Sequence, residues 1–138
     1  MLIVPCQLQP DPVARPCVLV VEDDDSIRAL LEAALSGEGY EVVAARDGRA
    51  ALELASRRRP GLILLDLRLP GMDGTEFVHA YRQLPGRHAP TIVLSASPGA
   101  GEHASELGAD AFIPKPFDVD EVIRLVDRYS RRAPGRDG

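Results

Sequence analysis

Five charged or hydroxyl side chains stand at, or just beyond, the ends of apolar runs, and their types suit phosphoryl chemistry. Glu22 and Asp23 follow CVLVV, Asp66 ends LILLD, Ser95 ends TIVLS, and Lys115 comes two residues after DAFI. If these runs are parallel strands, their carboxyl ends meet at one edge of a sheet, where α/β proteins bind ligands. We therefore expect the five side chains to lie in one cleft.

Three carboxylates in one cleft would repel one another, and keeping all of them ionised would be costly. A divalent cation removes that cost, and Mg²⁺ prefers oxygen ligands and commonly binds beside phosphoryl groups. The amine of Lys115 and the hydroxyl of Ser95 add donors for phosphoryl oxygens. This combination predicts that Asp66 is a nucleophile that forms an aspartyl phosphate.

The sequence also contains the elements that must position these residues. Unbroken apolar runs predict strands that are buried on both faces. The predicted strands cover residues 17–21, 40–45, 62–66, 91–95 and 110–113, and the helical patterns cover residues 26–39, 47–60, 74–84, 98–109 and 118–132. Five alternating strand–helix units predict an α/β fold, a doubly wound parallel sheet with helices on both faces.

The first predicted helix has an apolar face that we expect to be buried. That face is made by Ile27, Leu30, Leu31, Ala34 and Leu35. Asp24 and Asp25 come just before it, and we interpret them as an N-cap and a first-turn partner of the helix dipole rather than as metal ligands.

Local signals set the starts of the other helices. Asp47 is the expected N-cap of the second helix, and Asp118, with Glu121 three residues later, is expected to cap the fifth. Gly99 and Gly101 lower the helix propensity of the fourth segment, which predicts a short or mobile fourth helix.

Composition limits the class of protein. The chain has 138 residues, 45% hydrophobic and 27% charged, and this is typical of one globular domain. Its net charge of -5 argues against direct nucleic-acid binding, so the arginine run at 57–59 is interpreted as a solvated helix end. No apolar run reaches the roughly 18 residues of a membrane span, and no secretory signal pattern is present. We expect a cytoplasmic protein, since Cys6 and Cys17 are too few for a disulfide scaffold.

The two ends of the chain differ in composition from the middle. Residues 1–16 contain four prolines and are expected to form an extended or disordered arm. Residues 17–130 are expected to form the single domain, and residues 131–138 a flexible tail.

Four motifs, taken together and in order, resemble the signatures of the receiver domain of bacterial two-component response regulators. They are VVEDDDSIR, LLDLRLPGMDG, LSAS and KPF, and the resemblance covers about residues 17–130. It implies a chemotaxis-Y-like single domain with the flavodoxin-like (βα)5 fold, a three-layer sandwich around a five-stranded parallel sheet of order 2-1-3-4-5.

The resemblance also implies roles for the acidic residues and their neighbours. Asp66 aligns with the phosphoacceptor, and Asp23 and Glu22 align with the acidic pair that holds Mg²⁺, Asp23 directly and Glu22 through water. Asp66 itself and the backbone carbonyl of Arg68 would complete the protein ligands. Arg68 and Ser97 occupy positions that help to set the lifetime of the phosphoryl group.

Further roles implied by the resemblance concern the fourth and fifth strands. Ser95 matches the hydroxyl that binds the phosphoryl group and couples it to conformational change, and Lys115 matches the lysine that pairs with phosphoryl oxygens. Phe112 matches the aromatic switch residue. The Lys115–Pro116 bond is expected to be cis.

The leading functional hypothesis is a signalling receiver and not an enzyme beyond its own phosphorylation and autodephosphorylation. Its expected partners are a histidine kinase or phosphotransfer protein and a downstream protein, bound through the fourth helix, fifth strand and fifth helix. A phosphorylation-dependent homodimer is an alternative, whereas nucleic acid and membrane are not expected. Only a short segment follows the fifth predicted helix, and this favours output through contact with another protein.

Two other hypotheses remain open from the sequence. One is a small Mg²⁺-dependent phosphatase or phosphotransferase of the aspartyl-phosphate type, but such enzymes generally place a second Asp where Arg68 stands. The other is a degenerate receiver that works without phosphate. The complete set of acids, hydroxyl and lysine argues against it.

Overall fold

A computed structural model describes residues 16–130 of the chain and shows one parallel sheet. The strands are β1 (Cys17–Val21), β2 (Glu41–Ala45), β3 (Leu62–Asp66), β4 (Thr91–Ser95) and β5 (Ala111–Pro114). Their order is β2-β1-β3-β4-β5, so the predicted flavodoxin-like fold is confirmed. Predictions for residues 1–15 and 131–138 lie outside the described part.

Five helices cover the two faces of the sheet. They are α1 (Asp25–Gly37), α2 (Gly48–Arg58), α3 (Gly74–Arg82), α4 (Ala100–Leu107) and α5 (Val119–Ser130). Buried side chains of α1 and α5 share one apolar cluster, and those of α2, α3 and α4 share the other. The result is a three-layer sandwich in which the sheet is the middle layer.

The three central strands explain why the apolar runs of the sequence are unbroken. Every residue of β3 and β4 is buried, and so are four of the five in β1. Val18 and Val20 face the α1/α5 cluster, whereas Leu19 and Val21 face the other. Because both faces are covered, the strands show no alternation of polar and apolar residues.

Three aspartates start three helices. Asp24, Asp47 and Asp73 each accept a backbone N–H from the residue three positions later. The first two were predicted. Asp73 was not singled out in the sequence, and it forms a reciprocal capping box with Glu76.

Several predicted details need correction. Leu30 was expected to be buried on α1, but it is 47% exposed. Helix α3 ends two residues before its predicted end, and α5 begins one residue after its predicted start. Strand β5 is shifted by one residue toward the carboxyl end. Asp118 does cap the start of α5, but its carboxylate accepts the N–H of Asp120. Helix α4 is short, as predicted, with eight residues.

The residues between β3 and α3 return closely to the strand end. The amide of Gly74 donates to the carbonyl of Leu67 at 3.0 Å. A Cβ on Gly74 would come within 2.6 Å of the Leu67 Cα, so a larger residue would displace the loop that follows Asp66. Gly74 thus keeps the third helix close to the site.

Candidate functional site

Glu22 is a buried acid at the carboxyl end of β1. Its side chain is 1% exposed, and its backbone amide continues the ladder with β2 by donating to the carbonyl of Ala45 at 3.0 Å. One carboxylate oxygen, Oε2, accepts the Asp24 amide at 3.1 Å, and the other, Oε1, accepts from Lys115 Nζ at 2.7 Å. Both oxygens of Glu22 therefore have protein partners.

Asp66 ends β3, the central strand, and its side chain is 7% exposed. The backbone N–H of Arg68 donates to Oδ1 at 2.9 Å, and Lys115 Nζ donates to Oδ2 at 3.0 Å. These two contacts orient the carboxylate at the edge of the sheet. The bond to Lys115 also supplies the countercharge that a buried carboxylate needs.

Lys115 follows β5 and bridges the two acids. Its backbone amide donates to the carbonyl of Ser95 at 3.0 Å, so the position of the lysine is tied to the end of β4. The Lys115–Pro116 peptide bond is cis, in agreement with the prediction.

The buried charges shift each other's proton affinity. Burial raises the pKa of Glu22 above its usual value, and the hydrogen bonds from Lys115 and from the Asp24 amide only partly oppose this effect. For Lys115, burial alone would lower the pKa, but the hydrogen bonds to Glu22 and Asp66 outweigh burial and the pKa is raised. Lys115 is thus firmly cationic at neutral pH.

Glu22, Asp23 and Asp66 present carboxylate oxygens that all lie within 4.8 Å of one another. Oxygen ligands of an octahedral Mg²⁺ at about 2.1 Å from the ion are at most about 4.2 Å apart, so a small side-chain movement would let these oxygens surround one ion. Asp23 is exposed, and its carboxylate has no hydrogen bond or ion pair within residues 16–130. The donor set therefore fits a hard cation.

Ser95 and Ser97 lie beside the acids at the end of β4. Ser95 is buried, and its Oγ accepts the amide of Ser97 at 3.2 Å. The guanidinium of Arg68 donates to the Ser97 hydroxyl at 3.1 Å. Sequence reasoning missed this last bond, because the two residues are in different loops and no spacing rule relates them.

Phe112 lies within β5, where it pairs in register with Val93. It is half-buried and packs against the cluster on the α2/α3/α4 face. A Cβ on Gly101 would lie 3.4 Å from the Phe112 ring, so α4 passes directly over this aromatic side chain.

The structure brings together the five residues that the sequence singled out, Glu22, Asp23, Asp66, Ser95 and Lys115, at the carboxyl edge of the sheet. An open cleft of about 320 Å³ lies there, lined by four of these residues together with Asp24, Ile27, Arg68 and Ala96. Asp24 lines the cleft, but its carboxylate caps α1 through the Ile27 amide. Asp25 pairs with Arg28. The division of the EDDD cluster into acids that face the cleft and acids that serve the helix matches these contacts.

Comparison with known proteins agrees with this geometry. The sequence model of the response regulator receiver domain family matches residues 18–127 of this chain. Response regulator MprA of Mycolicibacterium vanbaalenii is 38% identical over 123 residues, covering 88% of this chain and 53% of MprA. The DNA-binding transcriptional regulator NtrC of Escherichia coli is 40% identical over 118 residues, covering 83% of this chain and 24% of NtrC. The chain thus spans about half or less of these relatives.

Solved structures have the same fold. The receiver domain of Francisella response regulator 1452 superposes with a TM-score of 0.76 at 30% identity, covering 85% of this chain and 98% of that one. Chemotaxis protein CheY4 of Vibrio cholerae gives a TM-score of 0.71 at 32% identity, covering 84% and 99%. Within residues 16–130, no helix has the length and apolar character to cross a membrane.

Proposed function

The chain belongs to the response regulator receiver domain family of two-component systems, and from this membership we propose that Asp66 accepts a phosphoryl group. The donor would be the phosphohistidine of a histidine kinase or of a phosphotransfer protein. The observation that carries the proposal is the position of the Lys115 ammonium group beside an open cleft. Its Nζ donates to Glu22 Oε1 at 2.7 Å and to Asp66 Oδ2 at 3.0 Å.

The chemistry asks little of this chain beyond positioning. A carboxylate oxygen of Asp66 attacks phosphorus, the new O–P bond forms as the P–N bond to the donor imidazole breaks, and the imidazole keeps the electron pair. The Arg68 amide holds Oδ1 of Asp66 in place during the attack. Lys115 already contacts Asp66 and would pair with the incoming phosphoryl oxygens.

Mg²⁺ is the cofactor that the donor set fits. When bound, the ion would neutralise charge on the acids and on the phosphoryl oxygens during transfer. We propose Asp23, Asp66 and the backbone carbonyl of Arg68 as its direct protein ligands. Glu22, whose oxygens accept from the Asp24 amide and from Lys115, would act through water, as the family resemblance implies.

Ser95 and Phe112 are proposed as the switch. The Ser95 hydroxyl lies at the end of β4, next to the strand that carries Phe112. Its movement toward a phosphoryl group on Asp66 would open space beside β5 for the aromatic ring. The surface of α4, β5 and α5 would then change and bind a downstream protein or a second copy of the chain, rather than nucleic acid.

The Arg68–Ser97 hydrogen bond gives the two lifetime positions a physical role. Arg68 lines the cleft, and its guanidinium donates to the Ser97 hydroxyl at 3.1 Å. We propose that this bond restricts the approach of water to the phosphorylated aspartate and so slows autodephosphorylation.

The receiver domain itself is proposed to cover residues 17–130, and the family match over residues 18–127 supports these bounds. A hydrolase acting on other substrates is less well supported. The position two residues after Asp66 holds Arg68, which bonds to Ser97 and has no acidic group to protonate a leaving group.

Incubation with acetyl phosphate and Mg²⁺, followed by intact-mass measurement, tests the proposal. We expect one added phosphoryl group on the full chain and none on the Asp66→Ala variant. The matched control is Asp25→Ala, an acid that lies at the start of α1 and pairs with Arg28, and it should be phosphorylated normally. An adduct that persists in Asp66→Ala would refute the assignment.

A further inference from the structure

A second cavity, of about 330 Å³, lies at the opposite edge of the sheet from the acidic cleft. Its walls include residues 59–61, just before β3, and residues 84–89, before β4. Asp66 and Ser95 end those same strands. At about 3.3 Å per residue, the two edges are roughly 13 Å apart across a five-residue strand. The cavity is therefore a separate site.

The walls of this amino-edge cavity carry positive charge. Arg59 and Arg87 line it together with His88, and none of the described residues that line it is acidic. Neither guanidinium group has an ion pair or hydrogen bond within residues 16–130. By contrast, the nearby Arg58 pairs with Glu41, and Arg82 donates to backbone carbonyls at the end of α4. The whole chain has a net charge of -5, whereas this cavity carries two arginines whose guanidinium groups have no partner within residues 16–130, so the cavity is locally positive.

A buried polar side chain also lines the cavity. Tyr81 is 6% exposed, and its hydroxyl oxygen accepts the amide of Ala89 at 2.7 Å. Within residues 16–130 the hydroxyl hydrogen has no acceptor, so it is available as a donor. The rings of His88 and Tyr81 meet at an angle of 67°, and His88 Nε2–H donates to the Leu84 carbonyl at 2.8 Å, so the imidazole is held in place beside Tyr81.

Arg59 ends α2 as its C-cap residue, in the left-handed conformation at φ +47°, and its backbone amide donates to the Ala55 carbonyl at 3.1 Å. Gly86 has a φ of +94°, and a Cβ there would lie 2.5 Å from Arg59 Nη2. Any other residue at position 86 would push the guanidinium away. The Arg59 side chain therefore lies directly against the loop that precedes β4.

We propose that the amino-edge cavity binds a small phosphate-bearing ligand with an apolar part, of the class of nucleoside monophosphates. Two guanidinium groups and a hydroxyl donor match a dianion with several oxygens, because the arginine fork pairs with phosphate in two-point contacts. Ala55, Pro60 and Leu84 provide apolar wall for the rest of the molecule. The volume of about 330 Å³ is at the low end of the roughly 300–1,000 Å³ of small-ligand sites.

The test uses the full chain labelled with ¹⁵N and titrated with AMP, adenosine and inorganic phosphate. AMP should shift the amide signals of residues 59–61 and 84–89 and should bind more tightly than either fragment. Arg59→Gln and Arg87→Gln should each lower the affinity for AMP about tenfold, as expected for loss of one charge-assisted contact. Arg57→Gln, a change of equal charge at an exposed residue that does not line the cavity, should leave it unchanged.

Several outcomes would overturn the proposal. One is the absence of shifts at these residues with AMP. Another is equal affinity for AMP and inorganic phosphate, which would indicate an adventitious anion, and a third is an equal loss in the Arg57→Gln control. Arg87 is in an exposed loop, so its variant carries the test even where Arg59→Gln folds poorly.

The result is independent of the proposed phosphorylation. AMP binding should persist in Asp66→Ala, which cannot accept a phosphoryl group under the proposed function. If that variant loses AMP binding, the ligand binds in the acidic cleft and the cavity assignment is wrong, whereas the mass experiment would be unaffected.

Discussion

Glu22 and Lys115 show how individual residues of the site balance stability against function. Glu22 is almost completely buried, and burial raises its pKa despite the bond from Lys115. An acid with a raised pKa costs folding free energy when it is ionised. Glu22 therefore does not serve the stability of the metal-free domain. Its position fits a role in holding a cation and in orienting Lys115.

The first residue-scale prediction follows from that raised pKa. Because the folded pKa of Glu22 exceeds the unfolded one, its stabilising contribution is present below the unfolded pKa and is lost as the pH rises through the folded pKa. Without metal, Glu22→Gln should therefore melt higher than the wild type at pH 7, and the difference should shrink toward pH 4. Thermal melts by circular dichroism across this range measure it. A variant that melts lower at pH 7 would show that the ion pair with Lys115 outweighs burial.

A second prediction separates the acids of the EDDD cluster. Asp23→Ala should abolish Mg²⁺ binding, because it removes the acid whose oxygens have no protein partner. Asp25→Ala should leave metal affinity unchanged, since Asp25 pairs with Arg28 at 2.6 Å on the surface of α1. The chain has no tryptophan, so NMR titration with Mg²⁺ is the suitable measurement. Equal damage from both substitutions would contradict this division.

Residues at strand ends could be predicted from the sequence, whereas contacts between loops could not. Asp66 and Ser95 end apolar runs, and parallel strands align such ends at one edge. The Arg68–Ser97 and Thr75–His103 hydrogen bonds join segments 29 and 28 residues apart. Their existence depends on loop paths that no periodic pattern describes. The cavity around Arg59 was missed for the same reason, since the arginine run was interpreted only as a solvated helix end.

At the scale of elements, the bounds of β1, β3 and β4 were predicted correctly because burial on both faces leaves unbroken apolar runs. Helix faces are less certain. Leu30 belongs to the apolar pattern of α1, but its neighbours Ile27 and Ala34 are only half-buried, so it lies at the edge of the buried stripe. The sequence pattern identifies the apolar residues of a helix, but their burial also depends on how far the sheet extends beneath the helix, which the pattern does not show.

Helix α4 begins without a side-chain cap, and the glycines before and inside it should have opposite effects on stability. Gly99 precedes the helix with a φ of +76°, which L-residues rarely adopt, and no side chain caps it. Gly101 is inside the helix without a positive φ, and a Cβ there would reach ordinary contact distance from Phe112. The two positions thus form a matched pair for substitution by alanine.

We predict that Gly99→Ala lowers the free energy of unfolding by about 1 kcal/mol, because the backbone conformation is unfavourable for alanine. Gly101→Ala should raise it by about 0.5–1 kcal/mol, because alanine restricts the unfolded chain and favours helix. Urea denaturation of both variants measures the two changes. Shifts of the same sign would show that contacts with Phe112, rather than backbone preference, control this helix.

At the scale of the whole molecule, hydrogen bonds connect the candidate site with one side of the sheet, where β5 and α4 lie. The Lys115 amide bonds to the Ser95 carbonyl, and the Ala100 amide bonds to the Ser97 carbonyl, so the ends of β4, β5 and the start of α4 are connected. Phe112 lies between β5 and α4. The only residues of α4 that are fully buried are Ala100 and Ala104, whereas α1 is held by two buried leucines. Rearrangement should therefore cost less free energy at α4 than at α1.

The last prediction concerns where the signal leaves the domain. Beryllofluoride, which mimics the phosphoryl group that we propose for Asp66, should draw Ser95 toward the cleft and move β5 through Phe112. Amide exchange should then change within residues 96–130. It should change little in α2, which faces the same side of the sheet but contributes no residue to the connections between β4, β5 and α4. Asp66→Ala, measured in the same way, controls for effects of the reagent. Protection changes confined to α1 and α2 would show that the signal leaves by another route, and the proposed α4–β5–α5 surface would then be wrong.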